Sequence, residues 1–227
     1  MRGFGQISRL SAGILLAALG VLFSRTAGWA ASDEKKALFA QAYQDALVAF
    51  HRQDWRAAQE AIIQARRIDP DDPRGLVLTA KILLKKKDYA GAEINVGEAL
   101  RRKPQFGPAL LVSGDLAFEQ RRFAEAFRLY NQALLQEPDD KDIILKMLYC
   151  QVMLGDLGAA ERLLARLSPF DEANPAYYFA KAAIFQGRGG REPRDHKDLL
   201  QTARVMYGNT VFAEYLRDYE FLFADRP

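Results

Sequence analysis

GPALLVSGDLAFEQRRFAEAFRLYNQALLQEP, residues 107–138, holds two helical patterns in succession. Its second half places Ala126, Tyr130, Ala133 and Leu134 three and four residues apart, the spacing that puts apolar side chains on one face of an α-helix. Its first half does the same with Leu110, Gly114 and Ala117, and Phe123 opens the second helical run. Pro138 closes the unit, because proline cannot continue the hydrogen-bond ladder and keeps the residue before it out of helical geometry.

Shifting the sequence by 34 residues superimposes this stretch on its neighbours in both directions. Ala58, Ala92, Ala126 and Ala160 fall in one column, and Ala65, Ala99, Ala133 and Leu167 in a second. Ala46, Ala80, Gly114 and Leu148 form a third. Trp55, Tyr89, Phe123 and Leu157 form a fourth, preceded by Asp54, Asp88, Arg122 and Asp156. Pro70, Pro104 and Pro138 close the first three units. Small residues in register belong where two helices cross closely, since extra methylenes there cost about 1–3 kcal/mol. Asp71, Asp72, Asp139 and Asp140 suit helix N-termini, and Arg66, Arg67, Arg101, Arg102 and Lys103 suit helix C-termini.

Residues 39–172 resemble tetratricopeptide repeats, the 34-residue helix–turn–helix unit. The third unit matches through Leu110, Ser113, Gly114, Ala117, Ala126, Tyr130 and Pro138, and the second through Leu76, Thr79, Ala80, Leu83, Ala92, Val96 and Pro104. The fourth keeps Ile144, Met147, Leu148, Ala160 and Leu164 but lacks the closing proline. The resemblance implies an all-α chain: a right-handed α-solenoid of four to five helix pairs that binds other proteins. The expected organisation is a signal peptide at 1–30, repeats one to four at 31–172, and a divergent fifth hairpin with a capping helix at 173–227. In this family the first helix of each unit lines the concave face. The matching positions are Tyr43, Leu47 and Phe50; Val77, Lys81 and Leu84; Leu111, Asp115 and Phe118; and Leu145, Tyr149 and Val152. This expected groove is largely apolar, suited to a helix or an extended apolar segment of another protein rather than to a peptide's terminal carboxylate.

After the connector 168–175, helices are expected over 176–186, 194–207 and 211–223, with Gly208 stopping the second. The last carries Phe212, Tyr215, Leu216, Tyr219, Leu222 and Phe223 at helical spacing. It can cover the last apolar face of the array, or it can occupy the groove or dock on a partner.

The first thirty residues read as a secretory signal: Arg2 and Arg9, an apolar run over 10–23, Arg25, then small residues at Gly28 and Ala30 before the expected cleavage. The alternative is an inner-membrane anchor through 10–23, short against the roughly 20 residues a spanning helix needs. The chain has 227 residues with 32 Lys and Arg against 29 Asp and Glu, and a pI near 8.9. Removing Arg2, Arg9 and Arg25 leaves 29 basic residues to match 29 acidic ones, which takes away the electrostatic reason to expect nucleic acid as a partner. Membrane contact is expected only through an uncleaved signal segment.

One Cys excludes an intramolecular disulfide framework and multi-cysteine metal sites, and Cys150 falls in a helix as a small hydrophobe. His51 and His196 lie on different elements and read as a solvated residue and part of a charged helix face. No nucleophile elbow, phosphate loop or paired-histidine metal motif is present, so neither catalysis nor a cofactor is expected. The sequence therefore points to a periplasmic or secreted interaction scaffold, with an accessory subunit of a cell-envelope enzyme complex as the alternative.

Overall fold

In the computed structural model, residues 33–189 and 193–224 are described; the expected signal segment 1–30 lies outside them. Among the described residues there are ten α-helices and no strand. They are α1 (33–51), α2 (Trp55–Ile68), α3 (Pro73–Lys85), α4 (Tyr89–Arg102), α5 (Gly107–Glu119), α6 (Phe123–Leu134), α7 (Lys141–Leu154), α8 (Leu157–Leu164), α9 (Ala176–Gly187) and α10 (Pro193–Phe223). None is long and apolar enough to cross a membrane. Two compact units meet in sequence at Leu78 and Thr79.

The 34-residue register becomes geometry. Every member of the two alanine columns is buried, as are Ala46, Ala80, Gly114 and Leu148. Trp55, Tyr89, Phe123 and Leu157 each open a second helix and are half-buried. Asp54, Asp88 and Asp156 accept a hydrogen bond from the backbone N–H three residues on, at 3.0, 2.9 and 2.8 Å, which satisfies one of the donors a helix start leaves open. The turn before each cap repeats too: Gln53, Lys87, Arg121 and Gly155 have φ of 59°, 61°, 58° and 81°. One left-handed residue per unit reverses the chain there, three times without glycine.

In the unit up to Leu78, Phe39, Ala46, Ala58, Ile62, Ala65 and Leu76 form the core. In the unit from Thr79 the core runs from Leu110 to Leu222, and Gly114 lets the Tyr130 ring lie against α5, where a Cβ would stand 2.4 Å from it. The connector 165–175 is tied by Tyr178, which donates to the Pro169 carbonyl at 3.1 Å. The helices α9 and α10 pack against each other, and Gly208, at φ 77° and ψ 166°, breaks α10 into two runs as its sequence position implies.

Candidate functional site

The groove positions fall in both compact units. Up to Leu78, Tyr43 stacks on Phe39 with centroids 5.7 Å apart, and the Arg74 guanidinium lies over both rings, at 4.9 Å from Phe39 and 5.7 Å from Tyr43. Arg74 also grips Asp72 with two nitrogens. Burial works to raise the Asp72 carboxyl, but the hydrogen bonds and charge of Arg74 outweigh it and hold the group below the usual range. Phe50 meets Trp55 edge-on at 5.4 Å. Tyr43, Leu47 and Phe50 remain half-exposed, whereas Val77 is buried.

From Thr79 onward, α3, α5 and α7 present Lys81, Leu84, Leu111, Asp115, Phe118, Leu145, Tyr149 and Val152. Leu84, Phe118, Leu145, Tyr149 and Val152 are buried, and the chain's own last helical run reaches this face at Phe118. Phe221 packs on Phe118 with centroids 5.7 Å apart, and Arg121 sits over the Phe221 ring at 5.0 Å while donating to its carbonyl. Tyr215 donates to Asp142 of α7. Phe212, Tyr215 and Tyr219 surround Phe179 of α9 at 5.5, 5.6 and 6.1 Å. The final run of α10 packs on α9 and also touches α5 and α7 through Phe221 and Tyr215, with Tyr219 and Leu222 buried.

Beneath it lies a polar cluster that an apolar reading of the groove does not anticipate. Asp115 accepts hydrogen bonds from the Tyr130 hydroxyl at 2.8 Å and from the Lys146 ammonium. Burial works to lower the Lys146 pKa, but Asp115 and Asp218 together carry it above its ordinary value. For Lys81 the balance is reversed: burial lowers its pKa, Lys146 adds to the effect, and Asp115 opposes it only in part. Lys85 is lowered by loss of hydration and by Arg217, the residue the last helix brings alongside it, with Asp218 and Asp115 opposing too weakly to reverse the shift. The Tyr149 hydroxyl is buried without a hydrogen-bond partner among the described residues. Opposite charges 31 residues apart, Asp115 and Lys146, were the available sequence signal: that separation is one repeat less about a helical turn.

The remaining candidates carry no reactive arrangement. Cys150 is buried in α7, and burial pushes its thiol up to about 12, with Lys146 opposing. His51 is exposed. His196 departs from the expected charged face: it lies half-buried and stacked on Phe185 at 6.3 Å, and burial lowers its pKa. Among the described residues no three His, Cys, Asp or Glu are placed to hold a metal ion.

Helix pairs repeating at 34 residues, with aromatic and charged residues on the faces of the first helices, define an all-α solenoid of the interaction-scaffold class. Tetratricopeptide-repeat models match residues 43–108 and 117–184, more than half of the sequence, and the chain belongs to the tetratricopeptide-repeat family. A comparison with curated proteins gave no match. Among solved structures, pilF of Pseudomonas aeruginosa matches with a TM-score of 0.64 over 84% of this chain and 90% of that one, at 14% identity. A thermophilic tetratricopeptide-repeat protein of Thermus thermophilus matches at 0.65 over 82% and 99%, at 16% identity. YrrB, a tetratricopeptide-repeat protein with an unusual peptide-binding site, matches at 0.52 over 78% and 90%, at 14% identity. At these identities the likeness is one of fold.

Proposed function

We propose that this chain is an exported, non-catalytic scaffold of the periplasm or cell envelope that holds a segment of another protein against its first-helix faces. The observation that carries the reading is on α5 and α7: Phe118 already receives Phe221, and Asp142 receives Tyr215, from the chain's own aromatic helix. YrrB supports it as a repeat protein of similar fold with a peptide-binding site. Export rests on the N-terminal pattern of Arg2, Arg9, the apolar run 10–23 and the small residues at Gly28 and Ala30. Tyr43, Leu47, Phe50 and Val77 supply further recognition positions in the first unit.

Crosslinking in intact cells, capture from the envelope fraction and N-terminal sequencing test both halves together. The expected result is a mature N-terminus at Ala31 and a captured protein whose recovery falls when Phe118 is changed to Arg. An intact N-terminus in the cytoplasmic fraction would overturn export. Capture indifferent to Phe118→Arg, in a variant that keeps its helicity, would overturn the assigned surface. Recovery of an envelope enzyme would make the chain its accessory subunit.

A further inference from the structure

Between α5, α7 and the last run of α10 lies a cleft of about 300 Å³ whose charge is uneven. Five carboxylates line it, those of Asp115, Asp140, Asp142, Glu214 and Asp218, against the two ammonium groups of Lys81 and Lys146, an excess of three negative charges. Part of this charge is already committed. Asp140 accepts from the backbone N–H groups of Asp142 and Ile143 and caps α7. Asp115 holds Lys146 and the Tyr130 hydroxyl. Lys81 shares that end of the cleft, since the charges acting on it are those of Asp115 and Lys146. The other acids are less occupied. Asp142 uses Oδ1 for both Asn174 and Tyr215, and Glu214 is exposed at the rim. Asp218 acts on Lys146 through charge and meets its chain neighbour Arg217 at 3.4 Å, beyond the usual hydrogen-bond range. An orphaned hydroxyl marks the same place. Tyr149 lines the cleft at 1% exposure, and its hydroxyl has no hydrogen-bond partner among the described residues. Asp218 and Tyr215 act on that hydroxyl and line the cleft with it, which sets it on the cleft side of the ring. Buried polar atoms are nearly always satisfied, so an exception calls for a partner.

We propose that this cleft is a small-molecule site for a linear aliphatic polyamine, its ammonium groups taken by Asp142, Glu214 and Asp218, one of them donating to the Tyr149 hydroxyl, and its methylene chain lying on Leu111 and Leu145. The ligand class follows from what the cleft disfavours. An anion would meet the excess of negative charge. A metal ion would find no point of convergence, because among the described residues no three His, Cys, Asp or Glu are placed to hold one. The carboxylates are instead spread around a wall that Leu111, Ile143 and Leu145 make partly apolar. A cation whose charges are separated by methylenes fits both features at once. An ammonium group donates three hydrogen bonds and accepts none, which suits carboxylate oxygens and a hydroxyl that has no donor. The site stands apart from the protein-partner reading and does not depend on it.

Calorimetric titration of the full chain with spermidine tests the site, with n-butylamine as a single charge on the same kind of chain and Mg²⁺ as two charges at one point. The expected result at about 150 mM salt is one spermidine per chain with a dissociation constant of about 100 μM or below, and binding about tenfold weaker or more for the other two. Changing Glu214→Gln and Asp218→Asn together is expected to weaken spermidine about tenfold or more, with helicity unchanged. Tyr149→Phe is expected to weaken it about threefold or more, while the melting midpoint without spermidine holds or rises, because the hydroxyl removed had no partner. A purely structural tyrosine would do the reverse, lowering the midpoint and leaving the affinity alone, and that result would overturn its assigned role. Spermidine that fails to bind, binds no tighter than Mg²⁺, or is indifferent to the paired Glu214→Gln and Asp218→Asn change would overturn the site and leave only counterion attraction to scattered carboxylates.

Discussion

At the scale of single residues, two glycines in similar helices carry opposite expectations. A Cβ at Gly114 would lie 2.4 Å from the Tyr130 ring, and that ring is held in place by the hydroxyl's bond to Asp115. Gly114→Ala is therefore expected to cost about 1–3 kcal/mol in chemical denaturation. Gly97, on the exposed face of α4, has nothing within 4 Å of its would-be Cβ, so Gly97→Ala is expected to add roughly 0.5–1 kcal/mol by restricting the unfolded chain and favouring helix. Equal effects from the two substitutions would contradict the close crossing of α5 and α6. Lys81 gives the pH test. Its native pKa lies below the unfolded value near 10.5, so the folded state binds fewer protons between those two values and stability from this group rises with pH across that window. Lys81→Met is expected to raise the melting midpoint at pH 7, and the advantage over the parent should shrink as pH climbs toward 10.5. A midpoint that falls at pH 7 would mean that attraction to Asp115 outweighs the loss of hydration.

Helices start in this chain by a repeated device, and its repetition makes it testable. Asp88 accepts from the Gly91 N–H at 2.9 Å; Asp54, one repeat earlier, and Asp156, two repeats later, do the same for their own helices. Asp88→Ala is expected to cost about 1 kcal/mol, measured by urea denaturation of the full chain. The fourth member of that column is Arg122, which makes no side-chain cap and instead pairs with Glu125. The same elements show what could be read from sequence and what could not. The alanine columns and the closing prolines were legible because burial and helix termination act on the residue itself. The left-handed turns at Gln53, Lys87 and Arg121 were not, because of the four only Gly155, lacking a Cβ, is a residue type that signals a positive φ. The break at Gly208 was legible because glycine is the residue that takes a positive φ freely.

For the molecule as a whole, the lining of the groove could be assigned by column, because residues at one offset share one face. What the groove contains could not. Tyr215 reaches Asp142 across 73 residues, and Phe221 reaches Phe118 across a longer stretch still, with no periodicity connecting either pair. A contact of that kind depends on where the last helix comes to rest, which no local pattern encodes. Charge is the property that does sum over the chain, and it yields the last expectation. With 32 basic and 29 acidic residues the full sequence looks like a ligand for polyanions, but all of the excess comes from Arg2, Arg9 and Arg25, in the segment proposed to be removed. The remaining 29 positive and 29 negative residues leave no net charge to concentrate phosphate around the protein. Nonspecific binding to duplex DNA is driven by neutralised phosphates and released counterions, so the mature chain lacks the main contribution to it. A mobility-shift titration of chain beginning at Ala31 is expected to leave duplex DNA unshifted up to about 10 μM at about 150 mM salt, a concentration at which nonspecific binders already act. A shift that disappears as salt is raised would show instead that basic side chains are gathered on one face despite the zero sum, and would move the search for a partner from a protein segment to a polyanion.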